Sequence, residues 1–155
     1  MLTFEKSSVI DAPVEVVWAF HERLDILDLL TPPWQPVQVV RREGGLGVGA
    51  VTEFRIWLGP IPVKWLARHI ECEPYRLFCD RQEEGPLEYW IHRHQFESLG
   101  DTTRLTDAIE FALPGGEAVE ALMGGFVGDR LRDMFNYRHH ITQDMCIATV
   151  NNGDA

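Results

Sequence analysis

Between residues 37 and 113 the chain alternates short β-prone runs with compact turn signals, and it then changes abruptly to apolar residues at helical spacing. That succession admits few architectures. Val37, Val39 and Val40 precede a Gly44-Gly45-Leu46-Gly47-Val48-Gly49 turn, and Val51 to Leu58 reads as the next strand before Gly59-Pro60-Ile61-Pro62. Val63 to Cys72, Arg76 to Gln82, Leu87 to Glu97 and Thr102 to Leu113 continue the pattern. They are separated by Glu73-Pro74-Tyr75, Gly85-Pro86 and Ser98-Leu99-Gly100-Asp101. Connections this short join antiparallel neighbours, so the segment is a meander. Past Leu113-Pro114-Gly115-Gly116, the residues Val119, Leu122, Met123, Phe126, Val127, Leu131, Met134 and Phe135 form the stripe of a long amphipathic helix. At the other end, a strand through Phe4, Val9 and Ile10 stops at Asp11-Ala12-Pro13. Val14, Val17, Trp18 and Leu24 then fall on helical spacing, and a further helical turn or two through Leu27 and Leu30 ends at Thr31-Pro32-Pro33-Trp34. The expected fold is α+β: a curved antiparallel sheet of about seven strands wraps a long C-terminal helix, two short helices follow the first strand, and a pocket lies between sheet and helix. Residues 1–150 are expected to form a single domain, with 151–155 a frayed tail.

Charge narrows the partners. Fourteen Lys and Arg against 24 Asp and Glu leave a formal charge of −10, which repels nucleic-acid backbones and anionic membrane surfaces. No apolar run approaches the roughly 18 residues of a membrane span, and the first residues lack a basic segment followed by an apolar one, so a cytoplasmic chain is expected. Cys72, Cys79 and Cys146 are odd in number and scattered, as reduced thiols are. The glycine run at 44–49 has no Gly-Lys-Ser/Thr ending and leads into a strand, which excludes a phosphate cradle.

The chemistry-bearing residues cluster on two adjacent strands. If Glu97 faces Thr102 across the turn, His92 stands opposite Asp107. The same face then carries Trp90, His94, Phe96, Leu105, Ile109 and Phe111, a set too apolar for water, so it is the helix-facing side. A carboxylate there needs a partner, and His92 with Asp107 is the expected pair: a general acid or base oriented by a carboxylate, or a polar pair in a pocket wall. His92 and His94 project the same way, and with Asp107 they can form three metal ligands; two imidazoles in a pocket wall read first as hydrogen-bonding groups, and no metal or cofactor is expected. His139-His140 with Asp144 is expected to face solvent. A charged line Glu53–Arg68–Asp80, with Arg55, is expected to cross the same face, either anchoring an anionic ligand group or joining strands as ion pairs. Gly124, Gly125 and Gly128 interrupt the final helix, making room for a cavity or marking a break.

Ile10-Asp11-Ala12-Pro13-Val14-Glu15-Val16-Val17-Trp18 resembles the opening of the START-like (SRPBCC) superfamily, which includes the birch pollen allergen, polyketide cyclases and lipid-transfer domains. A second set comprises Phe78, Asp80, Gln82, Gly85-Pro86, Trp90-Ile91-His92-Arg93-His94, Phe96, Thr103, Asp107 and Pro114. It resembles a bacterial branch whose members are sometimes fused to an epimerase-like domain and labelled cell-division inhibitors. The resemblance implies a helix-grip fold and functions ranging from ligand carriage to cyclisation. The expected function is binding of an apolar small molecule, such as a lipid, isoprenoid or polyketide-like compound. The alternative is a cyclase or dehydratase using His92 and Asp107. The expected ligand-binding residues are Arg55, Arg68, Asp80, Gln82, Trp90, His92, His94, Phe96, Asp107, Ile109, Phe111, Met123, Phe126, Val127 and Met134, and an epimerase-like protein is a candidate partner.

Overall fold

The structure is a computed structural model that describes residues 1–153. Strand β1 (Leu2–Ile10) leads into α1 (Val14–His21) and α2 (Ile26–Leu30). The meander follows as β2 (Val37–Glu43), β3 (Val51–Leu58), β4 (Ile61–Glu73), β5 (Leu77–Glu84), β6 (Tyr89–Ser98) and β7 (Thr103–Ala112), and α3 (Glu117–Asn151) closes the chain. All seven strands form one antiparallel sheet in the order β1-β7-β6-β5-β4-β3-β2. This is the expected helix-grip arrangement. Only β1 departs from simple sequence order, because α1 and α2 carry the chain from one edge of the sheet to the other.

Local chemistry sets the boundaries. Pro13 precedes α1 with φ −65°, already suited to a helix start, and its missing N–H would have had no intrahelical acceptor. Val14, Val17 and Trp18 are buried as their spacing implies, whereas Leu24 is 86% exposed, because α1 ends at His21 before the period reaches it. Gly59 adopts a left-handed φ of 63° in a two-residue turn that pairs Leu58 with Ile61, tighter than the four-residue turn expected at 59–62. Asn151 ends α3 rather than opening a frayed tail, and Asp154 and Ala155 lie outside the described residues.

Two packed cores form on the concave face. Near α1, Trp18 meets Phe96 and Phe78 edge-on at centroid distances of 5.0 and 5.8 Å, among Ile10, Val17, Phe20, Leu105 and Cys146. Farther along the sheet, Leu131 and Phe135 of α3 pack against Ile109, Phe111 and Leu113. Helix α3 rests chiefly on β1, with α1 and α2 against it. Its weight is therefore on one side of the concave face, and the half-buried aromatic side chains of β3 and β4 belong to neither core.

The three helix glycines neither break nor kink α3 into separate elements, since it runs unbroken for 35 residues. A Cβ at Gly125 or Gly128 would meet nothing within 4 Å, and one at Gly124 would touch Leu2 at an ordinary 3.4 Å. Each glycine costs the helix about 1 kcal/mol relative to Ala. Gly125→Ala and Gly128→Ala should therefore each raise stability by about 0.5–1 kcal/mol in urea denaturation, and a loss at either site would reveal a contact that the glycine preserves.

Candidate functional site

Strand alternation places Asp107 among imidazoles. The β6–β7 turn is shifted from the expected register: Ser98 faces Thr103, so Asp107 stands directly opposite His94, and His92 faces Ile109. The difference is two residues in total, which preserves the face. His92 still reaches Asp107 diagonally, its Nε2 2.7 Å from Oδ1, and the pair is buried. His94 Nδ1 lies 3.0 Å from the same oxygen, while its Nε2 is 3.1 Å from Asp80 Oδ2. From α3, His139 Nε2 approaches Asp107 Oδ2 at 2.6 Å, and its Nδ1 lies 2.7 Å from Ser8 Oγ on β1.

His139 was expected to face solvent together with His140 and Asp144. Only that second pair does so: His140 and Asp144 form an exposed contact at 3.3 Å, while His139 is 4% exposed. The signal that finds it is helical period, because Leu131, Phe135, His139, Thr142 and Cys146 all face the core at steps of three and four. His21 and His69 complete the polar interior, their Nδ1–H groups donating to the carbonyls of Val17 and Leu46. Arg138 was also missed. Its guanidinium lies 5.2 Å over the Phe135 ring, and its buried Nε has no hydrogen-bond partner among the described residues.

Two opposing effects govern ionisation here. Burial disfavours a charged Asp107, yet hydrogen bonds from His139, His92 and His94 outweigh it and hold the carboxyl well below its ordinary range. Burial likewise opposes charge on His94, but its bonds to Asp107 and Asp80 raise its pKa. His92 goes the other way: burial and the neighbouring His94 lower its pKa despite Asp107. Burial depresses His21 to about 4, with only the Val17 carbonyl and distant charge in opposition.

The arginines do not join this site. The tight β3–β4 turn sets Glu53 against Leu66 and Val51 against Arg68, and bulges between β4 and β5 bring His69, not Arg68, opposite Asp80. Arg68 therefore faces outward, where it pairs with Glu83, and Arg55 is exposed opposite Lys64. The expected charged line across the inner face does not exist. Gln82 is spent locally, bonding both backbone groups of Leu87 across the β5–β6 turn.

Of the apolar residues expected to line a pocket, Phe96, Ile109 and Phe111 are buried core. Val127 and Met134 pack beside the second core, whereas Met123 is 40% and Phe126 59% exposed, because the side of α3 that meets the sheet there is the one carrying Val119, Gly124 and Val127. The space beside Asp107, bounded by His21, His94, Phe135, Arg138 and Thr142, has a volume of only about 10 Å³, room for about one water. Toward β3 and β4 the concave face carries an aromatic row. There Phe54 stacks on Trp65 at 5.7 Å, and Trp65 meets Trp90 edge-on at 5.2 Å, all three half-buried. Sequence reading found Trp90 but not Phe54 or Trp65, although their alternation with polar neighbours carried that signal.

Two measurements test this electrostatic arrangement. Asp107→Ala removes the common acceptor of three imidazoles and should cost about 3–5 kcal/mol in denaturant unfolding. For His21, the folded pKa lies below the unfolded one, so the unfolded chain takes up the proton first as pH falls. That contribution erodes stability from about pH 6.5 down to about pH 4, by roughly 3 kcal/mol at most. His94 has the opposite sign, contributing stability that is present below its unfolded pKa and lost as pH rises through its raised folded value. The wild type and His21→Leu should diverge between pH 7 and 4.5, with the variant losing less; parallel pH profiles would show that His21 titrates alike in the folded and unfolded chain.

No curated protein matches the chain in sequence. Among solved structures, it is similar to a Thermus thermophilus protein (18% identity, 96% of this chain and 99% of that one, TM-score 0.71). It is also similar to the Zhui aromatase/cyclase of Streptomyces sp. R1128 (18% identity, 96% and 95%, TM-score 0.65). A nucleoside-diphosphate sugar epimerase from Corynebacterium glutamicum shares 28% identity over 93% of this chain, which spans 28% of that protein, with a TM-score of 0.68. A family model described as polyketide cyclase / dehydrase and lipid transport matches residues 10–139. Together with the seven-stranded sheet gripping α3, that match makes this chain a member of the polyketide cyclase/dehydrase and lipid transport family.

Proposed function

We propose that the chain binds an apolar, ring-containing or isoprenoid-like small molecule against the open half of its concave face, without transforming it. One observation carries this reading: Phe54, Trp65 and Trp90 form a continuous aromatic wall that runs out from the second core, against which Trp90 packs, to Phe54 and Trp65, which neither core covers. Apolar surface left open beside a packed core marks a binding site more often than a packing defect. Covering about 100 Å² on each of three rings stabilises a complex by roughly 7 kcal/mol before the costs of association. Val127 and Met134 supply adaptable apolar surface on the helix side, and Arg138 offers an anionic ligand group a guanidinium whose Nε has no partner among the described residues. The family description, which includes lipid transport, agrees with carriage.

A second reading, cyclisation or dehydration, is favoured by the His92–Asp107 contact and by the family's cyclase members. A base oriented by a carboxylate suits proton abstraction from a poly-carbonyl chain. Against it stand the 4% exposure of His92 and the small space beside Asp107, which leave a substrate no access without rearrangement.

Organic extraction of the purified protein followed by mass spectrometry should yield a stoichiometric apolar compound. Trp65→Ala should weaken binding of a fluorescent apolar probe at least tenfold while unfolding remains cooperative. Empty extracts together with probe binding indifferent to Trp65 would sink the proposal. Conversion of the extracted compound by the wild type, lost in His92→Ala, would instead establish the catalytic reading.

A further inference from the structure

We propose that Asp80, His92 and His94 form a binding site for a divalent first-row transition metal, with Asp107 orienting its two imidazole ligands. One donor atom from each of the three residues lies within 4.8 Å of the other two. The hydrogen bonds explain why the donors face inward. His92 uses Nε2 on Asp107 Oδ1, and no hydrogen bond reaches its Nδ1 among the described residues. His94 uses Nδ1 on the same Asp107 oxygen, which turns its Nε2 toward Asp80. His94 thus gives one nitrogen to Asp107 and presents the other to Asp80, and a nitrogen of His92 lies within 4.8 Å of both other donors. In metal sites a ligating histidine commonly donates its other N–H to a carboxylate, which fixes the tautomer and raises ligand basicity.

Strand geometry makes the triad rigid. His92 and His94 are alternate residues of β6 with rings 3.7 Å apart, and Asp80 of β5 pairs directly with His92. Two imidazoles and one carboxylate suit zinc, iron(II), manganese or cobalt, and leave positions for water or a ligand oxygen. Charge agrees with this assignment. Half-buried Asp80 and buried Asp107 bring two carboxylates to the donors, and a divalent ion would offset their charge. The site stands independently of the apolar ligand, since none of its three donors belongs to the Phe54–Trp65–Trp90 wall.

The test is titration of chelator-stripped protein with Co²⁺, followed by visible d–d absorption, and with Zn²⁺ under equilibrium dialysis with elemental analysis. One equivalent should bind, with affinity reduced at least 100-fold in Asp80→Asn and unchanged in His140→Ala. On Zn²⁺ binding, the ¹⁵N resonances of His92 Nδ1 and His94 Nε2 in the wild type should move together, a readout that needs no variant to fold. Absence of stoichiometric binding would overturn the proposal. So would binding lost in His140→Ala and kept in Asp80→Asn, which would place an adventitious ion at the exposed His140–Asp144 pair. Probe binding to the aromatic wall in stripped protein reports separately on the apolar site.

Discussion

The Asp107 carboxylate is the point on which the interior depends. It lies on β7 and draws together His92 and His94 of β6 and His139 of α3, while His139 reaches on to Ser8 of β1. Three strands and the long helix therefore meet through one charged side chain. A buried carboxylate is costly unless its oxygens are fully used, so these elements can be brought together in few ways without leaving charge unpaired. The two apolar cores sit on either side of this junction and supply burial without direction. The polar junction supplies direction, because the His139 hydrogen bonds at 2.6 and 2.7 Å tolerate little sliding of α3 along the sheet.

That placement makes the concave face asymmetric. With α3 anchored through His139 to β7 and β1, its packing surface is spent on one half of the sheet, where Trp90 joins the second core, and Phe54 and Trp65 remain half-buried beyond it. A sheet face lined with aromatics and left partly open is the surface on which the proposed ligand would rest. The His–Asp array thus has two structural consequences. It holds the helix in place, and it leaves a polar boundary at the inner limit of an apolar wall.

Much of the fold was legible because alternation and turn chemistry are local. The strand order from β2 to β7, the long final helix and the shared face of Trp90, His92, His94, Phe96 and Asp107 follow from period-two patterning. Register was less legible, and its errors had unequal consequences. The β6–β7 turn was misplaced by two residues in total, which preserves parity, so His92 and Asp107 still meet. Across β4 and β5 the bulges each insert a residue, which reverses parity, and Arg68 leaves the site for the outer face. A bulge depends on how neighbouring strands twist and pack, which the local sequence does not encode.

The sequence by itself determined which residues could share a face, that a meander would precede a long helix, and that a histidine-rich inner strand would need carboxylate partners. Only the tertiary structure decided where along the sheet α3 would rest, and hence that His139 and Arg138 enter the interior while Met123 and Phe126 stay exposed. The physical reason is range: periodicity sets the direction of a side chain relative to its own element. What that side chain meets depends on rigid-body packing among elements more than 30 residues apart, as Asp107 and His139 are.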